Sequence, residues 1–100
     1  MLCVFTDLAK ADLEEIADYI ACDNPKRAIS FVEEIVGKCQ NITIFPRSSR
    51  VQSEFSHNLR ILTYKRYAIC YTCDDEFVRI ERIIAGERNI IDLLTKDVID

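Results

Sequence analysis

Apolar residues change their spacing twice along the chain, and those changes divide it into elements. Leu2-Cys3-Val4-Phe5 is a short unbroken apolar run of strand type. Thr6 and Asp7 follow, with side-chain oxygens suited to capping a helix. Leu13, Ile16, Ala17 and Ile20 then recur at i, i+3, i+4 and i+7. That spacing predicts an amphipathic helix whose apolar stripe is flanked by Tyr19 and backed by Asp12, Glu14, Glu15 and Asp18. Asp23-Asn24-Pro25 is a stop and a new start: Asn24 can cap, and Pro25 suits the first helical position, where its missing N–H has no partner anyway. Ala28, Phe31, Val32, Ile35, Cys39 and Ile42 continue at helical spacing, so a second helix is expected to end near Ile44-Phe45, ahead of Pro46.

Residues 46–58 are polar and turn-rich and read as a surface loop. Beyond them the pattern becomes that of strands. Leu59–Tyr64, Tyr67–Cys73 and Phe77–Ile84 are rich in Ile, Tyr, Val and Thr, which suit pleated surfaces. Lys65-Arg66 and Asp74-Asp75-Glu76 are short connections, and short connections make antiparallel hairpins. Gly86 breaks the last strand, and Ile90, Ile91, Leu93 and Leu94 predict a short C-terminal helix or turn. The order is β-α-α-β-β-β, an α+β fold in which a helical hairpin packs on a small antiparallel sheet. One domain over residues 1–100 is expected from the length. Val78, Ile80 and Ile84 share one parity with Arg82, so either Arg82 reaches the rim of the sheet or a bulge near Ile83 shifts the register. Tyr67 and Tyr71 share a face and are expected in the core, hydroxyls at its edge.

Composition narrows the class. Hydrophobic residues at 49% and charged residues at 30% suit a compact fold and exclude disorder driven by low hydrophobicity. No apolar run reaches the roughly 18 residues of a membrane helix, and MLCVFTDLAK lacks the basic region and long apolar stretch of a secretory signal. The net charge of −4 is spread over both halves, which disfavours direct binding to nucleic acid and leaves a protein target open. Five cysteines, an odd number, fit free thiols in a reducing cytoplasm. Cys70-x-x-Cys73 lies in a strand, where positions three apart point to opposite faces, so no metal or redox site is expected from it. No cofactor is expected either.

Many weak motifs then fall in a familiar order. Ala9-x-x-Asp12-Leu13-x-x-Ile16-x-x-Tyr19-Ile20 resembles the first helix of the RelE/ParE superfamily of bacterial toxins. Asp23-Asn24-Pro25-x-x-Ala28-x-x-Phe31, Pro46, Leu59-Arg60-x-Leu62, Tyr67-x-Ile69-x-Tyr71 and Val78-x-Ile80-x-Arg82-Ile83-Ile84 with Arg88 continue the likeness over roughly residues 2–94. The resemblance implies a bacterial toxin of a type II toxin–antitoxin pair, of the kind associated with plasmid stabilisation, with a cognate antitoxin as partner. RelE-like members resemble ribosome-dependent mRNA endonucleases, and ParE-like members resemble inhibitors of DNA gyrase.

Two branches therefore compete for the same residues. A ribonuclease needs an acid or base and cations around the reacting phosphate. The resemblance places one sheet arginine of the nuclease branch on Ala68 and its C-terminal tyrosine on Leu94, and no tyrosine follows Tyr71. Among Leu59–Thr63, where that branch carries lysines, Arg60 alone is cationic. His57 is a possible substitute base, placed in the loop. The ParE branch fits better, although Ala85 stands where many ParE-like toxins place a histidine.

The reading is then a protein-binding inhibitor of DNA gyrase, with no catalytic residue, no metal and no membrane. Arg60, Lys65, Arg66, Arg82 and Arg88 are the target-binding candidates, with Lys65-Arg66 expected near Arg60. No direct DNA binding is expected without the antitoxin. If the chain is instead a nuclease acting on the ribosome and mRNA, Arg60, Arg82 and Arg88 are its catalytic candidates. A third reading is a non-toxic member that only binds its antitoxin. All but Arg88, which is expected to be exposed in either case, also have a structural reading: Arg60 as a bridge from the sheet to an acidic side chain, Arg82 as an internal ion pair, and Lys65-Arg66 as a solvated turn.

Overall fold

In the computed structural model, residues 1–49, 51 and 58–85 are described. The elements are β1 (Leu2–Phe5), α1 (Asp7–Ala21), α2 (Pro25–Asn41), β2 (Arg60–Tyr64), β3 (Tyr67–Cys73) and β4 (Phe77–Ala85). This is the β-α-α-β-β-β order expected of an α+β fold. The expected C-terminal helix lies outside the described residues.

The helix boundaries follow from capping. Thr6 Oγ1 accepts from the Ala9 N–H at 3.1 Å and donates to the Glu81 carbonyl at 2.9 Å, so one hydroxyl starts α1 and ties it to β4. Asn24 Oδ1 accepts from the Arg27 N–H at 3.1 Å, with Pro25 in the first turn of α2. α2 ends at Asn41, short of the expected Ile44-Phe45. The N–H groups of Ile42, Thr43 and Ile44 bond to carbonyls three residues back, which tightens the chain out of the α-helix. The Thr43 hydroxyl also takes the Gln40 carbonyl at 2.7 Å, so side chain and backbone compete for one acceptor there.

The sheet runs β1-β4-β3-β2. The two hairpins are antiparallel as expected. β1 joins β4 in parallel, so the sheet is mixed rather than antiparallel throughout. The chain crosses from one edge of the sheet to the other through the helical hairpin, a connection long enough to permit a parallel partner.

The parity problem at Arg82 is solved by a bulge. Cys70 pairs with Arg82 while Tyr71 pairs with Ile80, which leaves Glu81 as an extra residue on β4. Val78 and Ile80 before it, and Ile83 after it, therefore reach the same core as Tyr67, Ile69 and Tyr71, beneath Ile16, Phe31, Ile35 and Cys39 of the helices. Ile84 falls on the other face with Ala68, Cys70 and Leu59. Cys70 and Cys73 thus belong to opposite faces, as their spacing requires. The described cysteines are free thiols, and burial pushes Cys39 and Cys70 up to about 12.

Candidate functional site

β4 runs on past the end of β1, whose last paired residue, Phe5, lies opposite Ile80. α1 covers the exposed edge. The Asp12 carboxylate accepts the Ile83 N–H at 2.9 Å, Arg82 Nε at 2.8 Å and Arg82 Nη2 at 2.9 Å. Both side chains are buried. A buried carboxylate is tolerable only with its charge paired and its lone pairs bonded, and here one arginine and one backbone donor do both. Arg82 is thus engaged inside the fold, in the ion pair that its sequence position allowed.

Arg60 lies at the start of β2 and is half-buried. Its Nη1 donates to the carbonyls of Arg47 (3.3 Å) and Ser49, and Val51 bridges to its backbone. The Tyr71 hydroxyl donates to the Pro46 carbonyl at 2.9 Å. Together they pin the segment after α2 onto the open end of the β2–β3 hairpin. The expected acidic partner is replaced by main-chain oxygens, a common use of a guanidinium where a polar loop crosses a sheet. The Arg60 Nε is buried with no hydrogen-bond partner among the described residues.

Lys65 and Arg66 form the tight turn between β2 and β3 and are exposed. They stand at the opposite end of β2 from Arg60, about 16 Å along a five-residue strand at the usual rise, rather than beside it. Arg88 and His57 lie outside the described residues. Ala68 and Ala85 are respectively buried and half-buried in the sheet. The structure therefore divides the candidates: Arg60 and Arg82 hold the fold together, and Lys65 and Arg66 face solvent.

A cluster that the sequence reading overlooked surrounds Tyr64. Arg27, Glu34 and Lys38 lie along one stripe of α2, at i, i+7 and i+11, facing the end of the β2–β3 hairpin. Tyr64 Oη donates to Glu34 Oε1 at 2.6 Å, and Arg27 clasps the same carboxylate through Nη1 (2.6 Å) and Nη2 (3.3 Å). Lys38 Nζ and Lys65 Nζ lie over the Tyr64 ring, 5.4 and 5.7 Å from its centroid. The helical spacing of Arg27, Glu34 and Lys38 was visible; which strand residue they would meet depends on how the helix lies on the sheet.

The hydrogen bonds from Arg27 and then Tyr64 bring Glu34 down from its ordinary 4.5 to about 2. The folded value lies below the unfolded one, so the contribution to stability is complete above about pH 4.5 and is lost as the pH falls to about 2. Thermal melts of Glu34→Gln should accordingly differ from wild type at neutral pH. The difference should close between pH 4.5 and 2; a difference that persists unchanged at the acid end would refute the assignment.

Among the described residues, no group of three His, Cys, Asp or Glu side chains is placed to hold a metal ion, and no helix is long and apolar enough to cross a membrane.

The described residues thus form an α+β fold, a helical hairpin packed on a four-stranded mixed sheet, with β4 locked to the first helix by a buried arginine–aspartate pair. The family model described as the ParE toxin of type II toxin–antitoxin system, parDE, matches residues 3–90, and the chain belongs to that family. Among solved structures, a chain of the chromosomal ParDE toxin–antitoxin system from P. aeruginosa superposes with a TM-score of 0.74 at 23% identity. The match covers 87% of this chain and 97% of that one, which shows a shared fold. No curated protein sequence matches the chain.

Proposed function

We propose that this member of the ParE family inhibits DNA gyrase by binding it, without chemistry of its own, and is itself masked by a cognate antitoxin in the bacterial cytoplasm. The observation that carries this reading is the engagement of Arg60 and Arg82, the two described arginines among the catalytic candidates. Arg82 is spent on Asp12, and Arg60 on the carbonyls of Arg47 and Ser49. A phosphodiester-cleaving site needs cations aimed at the reacting phosphate, held ready before the substrate arrives. Cations already bonded inside the fold would have to leave those partners first. Ala68 adds no cation where the nuclease branch carries one. The antitoxin follows from membership of a family of paired toxins, and the P. aeruginosa structure is likewise of a ParDE system.

Pulse-labelling of DNA and protein synthesis, within minutes of inducing this chain alone in bacteria, tests the proposal. DNA synthesis should fall first while translation continues, and purified gyrase should lose supercoiling activity when the chain is added. If translation collapses first, the ribosome and mRNA are the target and the nuclease reading replaces this one. If neither changes, the chain is a non-toxic member that binds only its antitoxin.

A further inference from the structure

We infer that the end of the β2–β3 hairpin, together with the facing stripe of α2, is the surface by which this toxin engages its target protein, and that it takes a carboxylate-rich segment of that target. The inference rests on the protein-binding reading above and assigns it a place and a chemistry. Its residues are Lys38, Tyr64, Lys65 and Arg66.

Charge is the first argument. The chain as a whole carries −4. At Tyr64, by contrast, Lys38 and Lys65 lie over the ring and Arg27 and the Tyr64 hydroxyl hold the Glu34 carboxylate, while Arg66 follows Lys65 in the same exposed turn. The ion pairs among the described residues are Arg27–Glu34, Arg47–Asp75 and Arg82–Asp12. Lys38, Lys65 and Arg66 are therefore exposed cations with no carboxylate pair among the described residues. A positive patch on an otherwise acidic molecule orients an approaching acidic partner toward that patch.

Backbone conformation is the second. Lys65 has φ of 54°, in the left-handed region where glycine is the inexpensive choice. A lysine there carries a conformational cost that a tight turn does not require. Placing its ammonium beside the Tyr64 ring offsets part of that cost and fixes where the charge is presented.

The same geometry favours an acidic protein segment over a nucleic acid. Single-stranded nucleic acid is held by bases stacked on open aromatic faces along a basic track. The Tyr64 ring is overlain by two ammonium groups and its hydroxyl is tied to Glu34, so it is not offered for stacking. A transient target also suits this polar surface better than a permanently bound antitoxin does, because lasting complexes bury apolar area. Large exposed apolar residues among the described ones, such as Leu2, Leu8, Tyr19, Ile29, Ile44 and Phe45, lie elsewhere.

Lys65→Gly separates this role from folding, since it relieves the left-handed strain. Its melting temperature should be equal to or above that of wild type. Lys65→Gly combined with Lys38→Ser and Arg66→Ser should bind a fluorescein-labelled oligo-glutamate peptide about tenfold more weakly than wild type, and wild-type binding should weaken as salt is raised. Arg79→Ser, an exposed cation on β4, should bind as wild type does. In cells the triple variant should lose growth arrest while still co-purifying with the antitoxin.

Different failures point to different causes. If wild type arrests DNA synthesis and the folded triple variant arrests it equally, the inference is overturned and the proposed function stands. If wild type leaves DNA synthesis untouched, the proposed function fails, and peptide binding alone decides the surface. Absence of oligo-glutamate binding overturns the inference. So does equal or tighter binding of a single-stranded RNA of the same charge, or loss of the antitoxin from the triple variant.

Discussion

Asp12→Ala is expected to destabilise the protein by about 3–5 kcal/mol, the usual cost of removing one partner from a buried ion pair. Two losses combine. The Arg82 guanidinium is left charged in a site where its side chain is about 10% exposed, and the Ile83 N–H, on the edge of β4 that β1 does not reach, loses its acceptor. Asp12→Leu with Arg82→Met should recover much of the loss, because the charge and its counter-charge leave together. Urea denaturation of Asp12→Leu, Arg82→Met and the double variant measures this directly. A double variant as unstable as the sum of the singles would show that the pair is not an energetic unit. The double variant also bears on function. If Arg82 serves the fold, the refolded double variant keeps its growth arrest; loss of arrest at wild-type stability would return Arg82 to the target-binding or catalytic surface.

That pair shows what the sequence made legible. Asp12 and Arg82 are seventy positions apart, and nothing local joins them. The parity of Val78, Ile80, Arg82 and Ile84 nevertheless demanded either a bulge or a charge at the rim, and the structure answers with Glu81 as the extra residue. Elements with a strong period were readable: both helices, their caps at Thr6 and Asn24, and the two hairpins. The parallel pairing of β1 with β4 was not, because an apolar run such as Leu2–Phe5 specifies a strand but not its neighbour or direction. The end of α2 was set by Thr43 and its competing hydroxyl, a side-chain effect within an apolar pattern that would otherwise continue.

At the site, cations were identifiable by type but not by employment. Arg60 and Lys65 look alike in sequence. One is folded onto carbonyls and the other is held out on a turn, and the difference comes from residues 46–49 crossing β2 at one end while the hairpin turns at the other. The Tyr64 cluster was missed for the same reason. It is assembled by the way α2 lies across the hairpin, and Phe31 is the residue that sets that contact.

Phe31→Ala should therefore have an effect as large as loss of Asp12, about 3–5 kcal/mol, in the range found for deleting a buried aromatic ring. Phe31 is 5% exposed. It packs against Tyr67 (centroids 5.6 Å apart, planes at 55°) and Tyr64 (6.1 Å, 31°), with the Arg27 guanidinium 5.0 Å above its own ring. Alanine removes the hydrophobic burial and leaves a cavity between α2 and β3 that two tyrosines and a helix cannot fill without moving. For a chain of this length the whole stability is about 5–15 kcal/mol, so the variant should unfold at a much lower urea concentration and be partly unfolded near physiological temperature. Phe31→Leu, which keeps most of the volume, should cost less than about 1.5 kcal/mol. It is the more informative change for function. Leucine preserves the core but removes the ring that Tyr64 rests on, so Tyr64 and the lysines over it lose a fixed position while the charges remain. A Phe31→Leu protein that folds, yet binds oligo-glutamate less tightly than wild type, would show that the cationic surface depends on how it is held as well as on how much charge it carries. Unchanged binding would show that charge alone is sufficient.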